Sequence, residues 1–366
     1  MKIMFVFGTR PEVIKLAPLI LESKTRSLDL VVCHTDQHST LSDSILDFFS
    51  VIPNYRFKNS SISQSTDEFL FLVTPWLNQI ALTEKPSFIV VQGDTMSVLA
   101  GGLCAFLNKI PLVHVEAGLR SLDLSSPFPE EGIRQMISRI ASIHFVPTLN
   151  SQINLDLEGV FDDKKVFLVG NTVTDSLRLV LESDYEFSGL IRNILNDERK
   201  IVFITAHRRE NFGSKMRSIF FALKDFALMN PEFLLVFPVH PNPLVKLDAY
   251  ELLSGLDNIL LIDPLDYPDT IKLIDSCLFV ITDSGGIQEE AVTLGKKVFI
   301  LRSETERMEG VDFGLAELIG YDFQKIYLRL MEYVEKKEFE NSFDKVSIYG
   351  DGYVSSKILN ILINKL

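Results

Sequence analysis

An α/β fold of two doubly wound, Rossmann-like domains with a ligand cleft between them is what this sequence predicts, and three observations carry the prediction. Short apolar, β-branched runs alternate with longer segments of helical period, the pattern of βα units around a parallel sheet. The alternation occurs twice, and 366 residues exceed what one core usually holds at roughly 100 to 200 residues per domain. Three stretches far apart in the chain follow predicted strands: Gly8-Thr9-Arg10-Pro11-Glu12, the run TAHRRENFG from Thr205 to Gly213, and Asp283-Ser284-Gly285-Gly286. Each puts cations or free backbone N–H groups at the carboxyl end of a strand, where open α/β sheets bind ligands, and together they describe a cleft for a doubly phosphorylated ligand.

In order, the first half offers strands at Ile3 to Phe7, Leu30 to Thr35, Phe88 to Gln92, Leu112 to Val115 and His144 to Pro147, with helices such as Pro11 to Leu21 and Met96 to Leu107 between them. The second half offers Ile201 to Thr205, Leu234 to Val239, Ile259 to Ile262, Phe279 to Thr282 and Val298 to Leu301, with a helix from Ile287 to Leu294 ahead of Gly295. The halves join near Val169-Gly170-Asn171-Thr172, giving a first domain over 1–169 and a second over 170–352. A last helix, Ser355 to Asn364, follows Tyr349-Gly350-Asp351-Gly352; it is expected to cross back, so that 353–366 joins the first domain.

A net charge of −13 disfavours nucleic acid as a partner, since phosphate backbones need a broad basic face, but leaves room for a local cationic cleft. Cys33, Cys104 and Cys277 are too few and too scattered for a disulfide framework or a zinc cluster, which fits a reducing cytoplasm. The opening MKIMFVFGTR is too short an apolar run for a secretory segment, and no run approaches the ~20 apolar residues of a membrane span, so a soluble protein is expected.

At Asp283-Ser284-Gly285-Gly286, small residues let the backbone approach phosphate oxygens while the first helical turn aims unpaired N–H groups at them. Glu290, one turn further, can accept both hydroxyls of a ribose. Arg10 sits where the first strand gives way to a helix, with Lys15 on the same element. The motif lacks the Gly-x-Gly-x-x-Gly spacing of a dinucleotide fingerprint, so NAD is not called for.

Three acids end or follow strands: Asp94, Glu116 and Glu130. Such positions converge on a cleft, where burial and like-charge proximity raise pKa values and prepare carboxyls for proton transfer. Taken singly each reads as an N-cap or a solvated residue, and Asp94 could simply cap the next helix. His207 is read as a diphosphate contact or proton donor, His240 as a second histidine at a strand end, and His34 and His144 as structural; no metal-ligand spacing is present.

With these motifs in hand the chain resembles the non-hydrolysing UDP-N-acetylglucosamine 2-epimerases of bacteria. The likeness runs over nearly its whole length through FGTRPEVIKLAPLI, QGDT, HVEAGLRS, PFPEE, GNTV, HRRENFG, FPVHPNP, ITDSGGIQEEA, SETER and YGDG. The resemblance implies a GT-B type fold, a homodimeric cytoplasmic enzyme, a UDP-sugar substrate, and neither metal nor other cofactor. It implies Asp94, Glu116, Glu130 and His207 as catalytic residues. It implies Arg10, Lys15, Arg134, His240, Ser284, Gly285, Gly286 and Glu290 as substrate-binding residues.

The chain departs from the family pattern in three places. Ile133 stands where the family has Asn, which removes an amide expected near the acids. Thr305-Glu306-Arg307-Met308-Glu309-Gly310 replaces Thr-Glu-Arg-Pro-Glu-Ala, which predicts a looser turn close to the sugar. Gln37-His38-Ser39, followed by Thr40, replaces Gln-His-Arg where many members bind a second UDP-sugar as activator, so a cation is lost there. A GT-B glycosyltransferase, a hydrolysing 2-epimerase and a catalytically silent nucleotide-sugar sensor are the competing readings.

Overall fold

The computed structural model describes residues 1–37, 39–58, 65–160, 162, 165–340 and 347–365, with backbone alone for 39–41 and 340. The chain forms two compact units, one of Met1–Leu179 with Tyr349–Leu366 and one of Val180–Ile348.

In the first unit seven parallel strands, β1 (Lys2–Phe7), β2 (Asp29–His34), β3 (Tyr55–Arg56), β4 (Phe88–Gln92), β5 (Leu112–Val115), β6 (Ile143–Val146) and β7 (Val166–Leu168), lie in the order β3-β2-β1-β4-β5-β6-β7. Strand β1 from Ile3 onward and the whole of β4 and β6 are buried, as largely apolar strands must be in a sheet covered on both faces. The order reverses between β1 and β4, the switch point at which doubly wound sheets open a crevice beyond the strand ends.

The second unit repeats the plan with β8 (Lys200–Thr205), β9 (Phe233–Pro238), β10 (Ile259–Ile262), β11 (Phe279–Thr282), β12 (Lys297–Ile300) and β13 (Ala316–Leu318), ordered β10-β9-β8-β11-β12-β13. Its switch point lies between β8 and β11, where Thr205 pairs with Thr282. Phe220, Phe226, Phe233, Phe237, Phe279 and Phe299 fill its core, each such ring contributing about 1.5–3 kcal/mol by leaving water.

The division falls at 179/180 and 348/349 because the helix Val173–Leu181 is tied to the first unit. Ser176 Oγ donates to the carbonyl of Ile14, and both oxygens of Asp175 accept the first amides of the last helix, Val354 N at 2.9 Å and Ser355 N at 2.8 Å. That helix, Val354–Ile363, crosses back onto Arg10–Thr25, where Arg26 reaches Asn360 Oδ1 and Ser356 Oγ, each at 2.6 Å. No helix among the described residues is long and apolar enough to cross a membrane, and all three cysteines are buried free thiols.

Candidate functional site

The sequence-predicted residues fall into two groups, one in each unit, at and around the carboxyl ends of the strands that flank its switch point. In the first unit Gly8-Thr9 follows β1, Gly93-Asp94-Thr95 follows the adjacent β4, and Glu116 follows β5. Gly8 is required by crowding, since a Cβ there would come within 2.0 Å of Thr35 Oγ1. Arg10 opens the helix Arg10–Thr25 as a half-buried cation that no carboxylate engages among the described residues.

Glu116 sits at φ +63°, a left-handed conformation that costs a non-glycine residue about 1–3 kcal/mol and persists only where its surroundings over-determine it. They do so here. Its Oε1 accepts Lys15 Nζ and, at 2.9 Å, Asn171 Nδ2, while Oε2 accepts Gln92 Nε2. Lys15, expected at the ligand, is a buried ammonium paired with this acid.

Asp94 is more open, with its side chain 24% exposed, and its Oδ2 accepts Arg134 Nε at 2.7 Å. Arg134 also lies 3.4 Å from Glu131 Oε2 and is buried between the two carboxylates, so its charge is already engaged within the unit. The neighbouring glutamates divide sharply. Glu131 is wholly buried and accepts from Ser121 N, Arg134 and Gln135. Glu130, the first residue of the helix Glu130–Ile140, has a buried Oε2 with no hydrogen-bond partner among the described residues, an unusual state for a carboxyl oxygen.

Behind these acids His114 Nε2 meets the carbonyl of Gly93 at 2.8 Å, and burial lowers its imidazole to about 4. His144 beside it is lowered to about 3, and His34, bonded to Ser42, to about 4, also through burial. All three are neutral packing groups at physiological pH. Ile133 lies in the apolar core of the first unit, so the substitution expected to strip an amide from the acids falls on a packing position.

Glu12, cited only as part of a motif in the sequence, spans the first switch point. Its Oε2 accepts Gly8 N at 3.0 Å and Thr9 N at 2.8 Å, and its Oε1 accepts Thr95 Oγ1 at 2.8 Å. Burial pushes its carboxyl up to about 7 against the opposing pull of those hydrogen bonds.

In the second unit Asp283 performs a similar bridge from β11 to the loop after β8. Its fully buried carboxylate accepts His207 N at 2.9 Å, Arg208 N at 2.8 Å and Asn211 Nδ2 at 3.2 Å. The carboxylate thus faces the neighbouring loop, and the anion-binding potential of the turn rests on Ser284-Gly285-Gly286. The N-cap Ser284 of the helix Gly285–Thr293 makes no side-chain cap bond among the described residues, which is compatible with an anion at this helix start. Glu290 is buried one turn in. His207 stacks on His240 with centroids 5.4 Å apart, and its Nδ1 lies 3.5 Å from Asp283 Oδ1.

Arg307 is a cation beside this turn to which sequence reasoning assigned no role. A Cβ on Gly285 would strike its guanidinium carbon at 2.6 Å, so it lies directly against the turn. Glu289 Oε1 accepts its Nε at 2.8 Å and Glu306 Oε1 its Nη1 at 2.6 Å. Thr305 Oγ1 accepts Arg307 N and donates to Gln288 Oε1. The turn expected to loosen without its proline is therefore held by side-chain hydrogen bonds. In the third departure His38 lies outside the described residues, as do the side chains of Ser39 and Thr40.

Two parallel Rossmann-like sheets, with carboxylates at one switch point and a small-residue turn flanked by arginine and histidine at the other, define a nucleotide-sugar enzyme. The chain belongs to the UDP-N-acetylglucosamine 2-epimerase family, whose model matches residues 21–363. It is 40% identical to the UDP-N-acetylglucosamine 2-epimerase of Escherichia coli K12, over 100% of this chain and 99% of that one. It is 39% identical to the enzyme of the same name from Campylobacter jejuni, over 99% and 97%. The crystal structure of UDP-GlcNAc 2-epimerase from Neisseria meningitidis bound to UDP-GlcNAc superposes with a TM-score of 0.92 at 37% identity, covering 100% of both chains.

Proposed function

We propose that this protein is a non-hydrolysing epimerase that interconverts UDP-N-acetylglucosamine and UDP-N-acetylmannosamine through a glycal intermediate. The observation that carries the reading is the set of carboxylates at the β4 and β5 ends, with Glu116 held in a strained conformation and Asp94 latched by Arg134. The C2 hydrogen of the sugar has no neighbouring carbonyl, so direct deprotonation is too costly. Cleavage of the C1–O bond first sends its electron pair out with UDP and leaves an oxocarbenium-like centre at C1. A carboxylate then takes the C2 proton, and the C2–H electrons form the C1=C2 bond of the glycal. In the return, a proton reaches C2 from the opposite face and a phosphate oxygen of UDP rebonds to C1.

The residues divide by unit. Ser284, Gly285, Gly286 and Arg307 are suited to the diphosphate, His207 to charge on the departing oxygen, and Glu290 to the ribose; Asp94, Glu116 and Glu130 serve as acids and bases toward the sugar. Arg10 adds a cation toward the phosphates, with His240 beside His207. Arg134 and Lys15 act through the carboxylates they hold. The route calls for neither NAD nor a metal ion. Proton NMR of UDP-N-acetylglucosamine incubated with the protein tests the reading: the mannose isomer should accumulate to an equilibrium mixture as UDP-sugar. Free UDP with free sugar would instead mark a hydrolase, and absence of turnover would exclude the assignment.

A further inference from the structure

We propose that Glu12 is a positioning residue that fixes the loop carrying Asp94 against the turn carrying Arg10. The inference rests on the reading of Asp94 as one of the reacting acids. A glutamate three residues into a helix commonly does no more than cap its own first turn. Glu12 does that through Oε2, which takes the amides of Gly8 and Thr9. Its other oxygen leaves its own element altogether and accepts the hydroxyl of Thr95, 83 residues away.

Thr95 is itself the N-cap of the helix Met96–Leu107, accepting Val98 N at 3.3 Å with the same oxygen that donates to Glu12. One side chain therefore joins the starts of the two helices that flank the first switch point. Arg10 follows Thr9 directly and Asp94 precedes Thr95 directly, so this carboxylate sets the distance between a ligand-facing cation and an acid. Arg134 holds Asp94 through Oδ2, which leaves the backbone of its loop to be placed by Thr95. A misplacement of about 1 Å at a reacting group is enough to cost on the order of 100-fold in rate. The carboxylate meets three donors at once, whereas glutamine has a single acceptor oxygen and could keep both sides only by reversing the Thr95 contact onto a hydroxyl oxygen that already accepts Val98 N.

The test uses the full-length enzyme at pH 8 with UDP-N-acetylglucosamine as substrate and the variants Thr95→Ala, Thr95→Ser, Glu12→Gln and the Thr95→Ala/Glu12→Gln pair. Thr95→Ala and Glu12→Gln should each lower kcat about tenfold or more with KM within about threefold of wild type, since an interaction that orients the reacting acid acts on the transition state. Thr95→Ser should restore kcat to within about twofold. The double variant should be no slower than the slower single, because both substitutions break one bridge. Multiplying losses, KM rising in step with the fall in kcat, or unchanged kcat in Thr95→Ala would overturn the proposal. Amide hydrogen exchange of the ligand-free protein supplies a readout that does not depend on turnover. Glu12→Gln should speed exchange over 93–98, across the bridge from the substitution, by about fivefold or more, and unchanged exchange there would also overturn it. A wild-type protein that shows no epimerisation would fail the functional reading, while the exchange experiment would still decide whether Glu12 fixes the loop.

Discussion

Arg134 Nε donates to Asp94 Oδ2 at 2.7 Å while the same guanidinium lies 3.4 Å from the buried Glu131. One cation thus holds a partly open acid and neutralises a closed one. Replacing Asp94 by Asn keeps shape and removes the proton-transfer capacity. Asp94→Asn should lower kcat by about 100-fold or more while UDP affinity, measured by calorimetry, stays within about threefold. Full activity in that variant would remove Asp94 from the mechanism.

The adjacent glutamates should separate function from stability. Glu130 has a buried oxygen without a partner among the described residues, and Glu131 accepts three hydrogen-bond donors. Glu130→Gln should abolish most turnover with little change in melting temperature. Glu131→Gln should cost about 1–3 kcal/mol of stability by leaving buried donors poorly matched. Paired kinetics and thermal melts check this, and a reversal of the two patterns would mean the roles are exchanged.

Much of this was readable from residue order. The runs that form β1, β4, β5, β8 and β11 are largely apolar and bounded by loops of polar and small residues, so the strand-end positions of Arg10, Asp94, Glu116, His207 and Ser284 are legible in the sequence. The edge strands β3, β7 and β13 escaped because two or three residues cannot display a period. Pairings across long separations escaped for a different reason. Nothing local to Lys15 announces that its ammonium serves Glu116, 101 residues on. Asp283 looked like part of an anion turn, and only the fold shows its carboxylate spent on the neighbouring loop. Arg307 belonged to a stretch read as a turn, and its contact with Gly285 depends on the salt bridges to Glu289 and Glu306.

The two glycines of the phosphate turn should respond differently to a methyl group. A Cβ on Gly285 meets the Arg307 guanidinium, whereas one on Gly286 meets nothing within 4 Å among the described residues. Gly285→Ala should displace Arg307 and reduce both UDP affinity and melting temperature. Gly286→Ala should leave the melting temperature within about 2 °C and still weaken UDP binding about tenfold, because the methyl occupies space that phosphate oxygens need. Unimpaired UDP binding by Gly286→Ala would move the diphosphate away from this turn.

Glu12 gives a pH signature. Burial raises its carboxyl from 4.5 to about 7, so the folded state holds the proton more tightly than the unfolded chain. The associated stabilisation is full below about pH 4.5 and is lost as pH rises through about 7, a change on the order of 3 kcal/mol. Glu12→Gln lacks this linkage. The melting temperature of wild type relative to Glu12→Gln should therefore be most favourable near pH 5 and least favourable near pH 8. A difference that stays constant across that range would show that the carboxyl does not titrate there.

Isotope exchange at C2 tests the central claim most directly, because elimination of UDP must break the C2–H bond. In deuterated water, proton NMR should show deuterium entering C2 of both UDP-N-acetylglucosamine and UDP-N-acetylmannosamine as they interconvert, with no build-up of free sugar. Interconversion with C2 still fully protonated would contradict the elimination mechanism outright.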